Sequence, residues 1–117
     1  MQFMMMCCIE EKRWDALPAA SRDAIMRDYG AWVAEMEMQG KHVASAKLAP
    51  SASAHTLRVQ GGRRHVVDGP FAETKEQFGG YHVLECRDLD DALAMAERIP
   101  TLPHGGVVEV RAVEPTV

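Results

Sequence analysis

Residues Phe3 to Ile9 form an apolar run with no polar side. In an extended chain successive side chains point to opposite faces, so Phe3, Met5 and Cys7 share one face and Met4, Met6 and Cys8 the other. A strand spanning Gln2 to Ile9 therefore has to be covered on both sides. In a chain of 117 residues, the length of one domain, helices can cover one face. The other needs a second layer, which a partner subunit can supply. The run is too short to span a bilayer and is followed at once by Glu10-Glu11-Lys12-Arg13. It has neither the basic start nor the small-residue cleavage site of a signal peptide, so the expectation is a cytoplasmic protein with no membrane partner.

Beyond this strand the pattern changes period. Ile25, Tyr29, Trp32, Val33 and Met36 recur at intervals of three and four, which predicts a helix opened near Pro18, capped by Ser21 and ended at Gly40. His42 to Leu48 reads as a strand. Thr56 to Val59 and His65 to Val67 alternate around Gly61-Gly62, a two-residue hairpin signal because both glycines accept positive φ. Tyr81 to Cys86 is a further strand. Asp88 caps a second helix whose core side is Leu89, Ala92, Leu93, Ala96 and Ile99, stopped by Pro100 and Pro103. Val107 to Val113 is the last strand. Leaving the hairpin aside, the order is βαββαβ, the split βαβ pattern of a ferredoxin-like α+β domain.

Composition removes several functions. The formal net charge is -4, and the 13 lysines and arginines are scattered among acids, which argues against nucleic acid as a partner. Of the three cysteines two are adjacent, so a disulfide framework is not expected. Cys7 and Cys8 alternate across a strand, and the five histidines show neither HxH nor HExxH spacing, so no metal is expected. Without a glycine-rich phosphate loop or a GxSxG elbow, no nucleotide cofactor or serine hydrolase site is expected either, and the cofactor expectation is none.

The stretch Asp68-Gly69-Pro70-Phe71-Ala72-Glu73-Thr74-Lys75-Glu76-Gln77-Phe78-Gly79-Gly80-Tyr81-His82 is long for a loop in a compact domain and dense in carboxylates. It resembles the signature of the YCII-related proteins of the DGPF subgroup, in which a DGPFAETKE run precedes a Gly-Gly-aromatic strand start. The similarity extends from Cys8-Ile9-Glu10 to Val107-Val108-Glu109-Val110-Arg111. What the resemblance implies is a ferredoxin-like fold whose sheets pack face to face in a homodimer, a dimeric α+β barrel, with no agreed reaction. It also implies a His-Asp pair, with Asp68 as the aspartate. Tyr29, before Gly30-Ala31-Trp32, stands where the resemblance implies a histidine on the first helix, and it is a poor base at neutral pH because its ordinary pKa is about 10.

Each candidate has a structural reading beside the functional one. Asp68, before Gly-Pro, is either a turn carboxylate accepting backbone hydrogen bonds or a general base or orienting group in a cleft. Tyr29 is a core aromatic or a site hydroxyl. Glu73, Lys75 and Glu76 are solvated loop charges or a salt-linked lid, with Lys75 able to present an ammonium to an anion. Tyr81 and His82 alternate, so one faces the helices and the other the opposite side; either can line a pocket. The reading is an unknown small molecule bound or transformed in a pocket at the dimer barrel, with Asp68 as the catalytic carboxylate. Tyr29, Glu73, Lys75, Tyr81 and His82 are its expected binding residues. The alternative is a non-catalytic interaction protein linked to an extracytoplasmic-function sigma factor, by association of similar genes.

Overall fold

The computed structural model describes residues 1–115. Strand β1 (Gln2–Ile9) is followed by a short helix α1 (Glu11–Ala16), a long helix α2 (Ala19–Met38) and β2 (His42–Lys47). Then come β3 (His55–Gln60) and β4 (Arg63–Asp68), then β5 (Gln77–Glu85), helix α3 (Leu89–Ala96) and β6 (Val107–Ala112). The main sheet has the order β2-β5-β1-β6, and the neighbouring strands are antiparallel throughout. With α2 and α3 as the two crossovers this is the ferredoxin-like core. Strands β3 and β4 form a separate two-stranded sheet, the extra hairpin. Among the described residues, no helix is long and apolar enough to cross a membrane.

The two-sided character of β1 is explained by its place between β5 and β6. Phe3 and Met5 lie on the helix side and are buried with Trp32, Met36, Leu84, Ala92, Ala96 and Ile99. Met4 and Met6, on the other face, are only half-buried in the single chain, as are Tyr81 and Val83 of β5. Val108 and Val110 of β6 pack on the core side opposite Cys7 and Met5.

Several local expectations shift. Helix α2 begins at Ala19 with Pro18 in the cap position, so Ser21 lies within the first turn and makes no capping bond. The fixed φ of Pro18 and its freedom from donating an N–H suit it to that place. Gly40 takes a positive φ of 69° at the end, as a left-handed terminator does. Helix α1 went unread because six residues are too few to show a period. The strand after the signature loop starts at Gln77 rather than Tyr81, and an irregularity between Cys7 and Cys8 leaves Gly79 as the extra residue of a bulge.

In α3, Asp88 does cap, accepting from the Asp91 backbone N–H at 2.8 Å. Leu89 and Leu93, however, are about half exposed. Asp91 is turned inward instead, where its Oδ2 accepts from Lys41 Nζ at 2.8 Å and from the Arg87 backbone N–H at 2.9 Å. These bonds hold the Asp91 carboxyl down at about 2. They also rotate the buried arc toward Ala92 and Ala96, which turns the leucines to its edge.

Candidate functional site

On the helix side of the sheet, α1 and α2 stand off from β1, β5 and β2 and leave a cavity of about 490 Å³. Most of its wall is apolar, with Trp14, Met26, Val33 and Leu48 among the contributors. Tyr29, His82 and Ser45 supply hydrogen-bonding groups. A volume of this size suits a small organic ligand, and few polar groups in an apolar wall is the ordinary make-up of such sites.

The strands reach this arrangement through one glycine. A Cβ on Gly80 would lie 2.8 Å from the Ala46 carbonyl oxygen, so only glycine lets β2 approach β5 this closely. His82 follows two residues later on the same face and is buried, with 5% of its surface exposed. Tyr29, on the α2 stripe, lies over it, the two ring centroids 5.3 Å apart. Trp32, one turn on, meets the imidazole edge-on at 4.9 Å and donates its indole N–H to the Met95 carbonyl at 3.1 Å. The imidazole is thus held from two sides.

The polar atoms form a continuous chain. Tyr29 Oη is hydrogen-bonded to His82 Nε2 and lies 3.2 Å from Cys7 Sγ. His82 Nδ1 is 2.7 Å from Ser45 Oγ, which is 2.7 Å from His42 Nε2. Burial pushes the Tyr29 phenol far above its ordinary value, with the neighbouring Cys7 adding to the effect, so the phenol keeps its proton. Burial pushes His82 down to about 4, with the neighbouring His42 adding to the effect, so the imidazole is neutral at pH 7. Cys7 is also raised by burial and stays a thiol.

These protonation states fix a direction. A thiol is a weak acceptor and an imidazole nitrogen a good one, so the phenol donates to Nε2. A neutral imidazole carries one proton, which then sits on Nδ1 and is donated to Ser45 Oγ, leaving the serine hydroxyl proton free to be donated to His42 Nε2. Since β2 is an edge strand and Ser45 is exposed, the chain leads from the cavity floor to solvent.

Of the residues anticipated from sequence, Tyr29 and His82 are brought together and line the cavity. Tyr81 faces the opposite side of the sheet, pairing with Met6 and Ala46. Asp68 stands at the end of β4 with its side chain 92% exposed, 3.1 Å from His55 Nδ1, and is not part of the cavity wall. Glu73 and Lys75 are exposed in the loop between β4 and β5, and among the described residues no ion pair joins them to Glu76 or to each other. No group of His, Cys, Asp or Glu side chains with metal-holding geometry occurs among the described residues.

Sequence reasoning passed over Ser45 and His42. Strict alternation places residues three apart on opposite faces, but an irregularity in β2 between His42 and Ala44 brings His42 and Ser45 to the same side. Nothing in the local sequence signals that bulge. Cys7, whose pKa is raised by burial, serves the cavity wall as a small hydrophobe.

Comparison with known proteins places these features in a wider set. Residues 1–116 match the YCII-related domain. An uncharacterized protein of Rhizobium meliloti (strain 1021) is 37% identical over 112 residues, covering 95% of this chain and 90% of that protein.

Proposed function

This chain belongs to the YCII-related domain family, and from that premise we propose that it binds, and passes a proton to or from, a small molecule held above the Tyr29–His82 pair. The observation that carries the reading is the hydrogen-bond chain itself. A protonated phenol and a neutral imidazole lie on the floor of an apolar cavity and are wired through Ser45 to His42 at the sheet edge. A cluster serving stability alone gains nothing from a continuous path to water, whereas a general acid–base site needs one to be reset.

The chemistry is as follows. The acidic O–H of a ligand entering the cavity donates to the Tyr29 hydroxyl oxygen, whose own proton points to His82 Nε2. When the ligand gives up a proton to Tyr29 Oη, the phenolic proton passes to His82 Nε2, the Nδ1 proton passes to Ser45 Oγ, and the serine proton passes to His42 Nε2. Every group but His42 ends neutral, so the low proton affinity of His82 is no obstacle to its role as a conduit. The ligand class this favours is a largely apolar molecule with one hydrogen-bonding or acidic oxygen.

A second copy of the chain belongs to the same reading. Met4, Met6, Tyr81 and Val83 make an apolar face on the side of the sheet that no helix covers, and a second sheet packed on it would cover it.

The test is a thermal-shift screen of a metabolite library against the wild type, Tyr29→Phe, His82→Gln and Asp68→Asn. A ligand that binds the native state raises the apparent stability by mass action. The expected result is a compound class that stabilises the wild type and Asp68→Asn but shifts Tyr29→Phe and His82→Gln at least tenfold less tightly. Loss confined to Asp68→Asn would return the chemistry to the signature carboxylate and overturn the reading.

A further inference from the structure

The hairpin of β3 and β4 is the least covered part of the molecule. Every residue of β4 is exposed, and so are all those of β3 except Thr56. Large apolar side chains are among them: Val59 is 71% exposed, Val67 62% and Leu57 61%, and Phe71 just beyond is 80% exposed. The register sets Leu57 opposite Val66, giving an apolar pair in the middle of one face. An isolated two-stranded hairpin is marginally stable in water. This one is nonetheless regular over six residue pairs, closed by a Gly61-Gly62 turn with φ of 57° and 74°.

The arm also reshapes the molecule. The radius of gyration is 16.1 Å, with extents of 48 × 44 × 18 Å, against about 13 Å for a compact chain of this length. Its charge differs from that of the rest. Residues 55–68 hold Arg58, Arg63 and Arg64 against Asp68, a net charge of 3 − 1 = +2, so with -4 overall the remainder carries -4 − 2 = -6.

We infer that the β3–β4 hairpin is an arm that packs across a second copy of this chain, its apolar pair covered by that copy and its arginines set against that copy's acidic body. The inference rests on the second-copy reading of the open sheet face and extends it. Opposite net charges on arm and body favour association between copies, because in a two-fold dimer each arm meets the other body at once. The same association that covers the sheet face then covers the arm.

The experiment introduces a photo-crosslinking phenylalanine analogue at Gln60, next to the arm tip. This protein is irradiated with an excess of unmodified chain carrying an affinity tag. The arm proposal predicts a covalent pair between copies, with crosslinked peptides from the partner's residues outside 55–68. In parallel, sedimentation measures self-association of the wild type and of Arg63→Glu/Arg64→Glu, whose exposed positions leave the core untouched. The variant is expected to self-associate at least tenfold more weakly at low salt, with the difference narrowing as salt rises.

Crosslinks confined to one copy, with self-association of the variant unchanged, would overturn the arm while leaving the sheet-face dimer standing. A wild type that sediments as a monomer at all concentrations would remove both. Binding of the wild type to a mixed-sequence DNA duplex, lost in the double variant, would assign the arginines to nucleic acid and also overturn the proposal.

Discussion

Strands β1 and β5 and strands β3 and β4 are two antiparallel pairs that each carry large apolar side chains, Phe3, Met5 and Leu84 in one and Leu57, Val59 and Val66 in the other. In the first pair, Phe3, Met5 and Leu84 are sealed. In the second, no large apolar side chain is buried. The difference lies in the connections. The chain leaves β1 and β5 through segments long enough to hold α2 and α3, which fold back over the sheet. It passes from β3 to β4 through two glycines, and a two-residue turn brings nothing with it to lay on top. Composition makes a strand; the length of the connection decides whether it is covered within one chain.

The sharpest break of that comparison is a pair of truncations. Leu84→Ala, in the sheet, is expected to lower stability by about 2–5 kcal/mol, whereas Val66→Ala, in the arm, should change it by less than about 0.5 kcal/mol in dilute monomer. Urea unfolding at low protein concentration measures both. Equal losses would mean that the arm is covered within its own chain.

Next in size is the pH dependence. His82 titrates near about 4 when folded and near its ordinary 6.5 when exposed. Between those values the unfolded chain binds more protons, so stability is complete above pH 6.5, falls as pH drops toward 4, and levels below it. Because His82 is buried, this loss is on the order of 3 kcal/mol. Replacement by Gln should flatten the profile across that window, and an unchanged slope would mean that another group carries it.

The smallest expected effects contrast two glycines. A Cβ at Gly30 meets nothing within 4 Å, so Gly30→Ala in the exposed middle of α2 should raise stability by about 0.4–1 kcal/mol. Gly80→Ala should lower it by pushing β2 away from β5. Thermal melts of the two variants that moved in the same direction would contradict the close approach described for those strands.

What could be read in advance follows the reach of each signal. The two-faced β1, the α2 stripe, the Gly-Gly hairpin and the Asp88 cap are all written within a few residues of where they act, and the structure has each of them. Tyr29 and His82 were legible as candidates because one stands where the resembling family has a histidine and the other follows the glycine pair that closes the signature loop. Their junction through Ser45 to His42 was not, since it depends on a bulge in one strand and on the packing of residues 53 positions apart. The signature loop drew attention to Asp68, which the turn at Gly69 leaves at the base of the arm, with the Gly69 N–H bonded to the Ala54 carbonyl at 2.6 Å. Leu89 and Leu93 show the same limit from the other side. Their apolarity was plain, but the rotation of α3 was set by the inward Asp91 and its bond to Lys41.

The position of β1 between β5 and β6 also has a meaning in time. It is made before the strands it pairs with, and both of its hydrogen-bonding neighbours begin 68 or more residues after its end, at Gln77 and Val107. At a synthesis rate of roughly 5–20 residues per second, several seconds pass before either edge of this methionine-rich strand can be paired. Nonlocal pairing of this kind slows folding, and it leaves the nascent chain with its stickiest segment exposed the longest. A cell making this protein would then need to shield β1 during synthesis more than the strands that follow it.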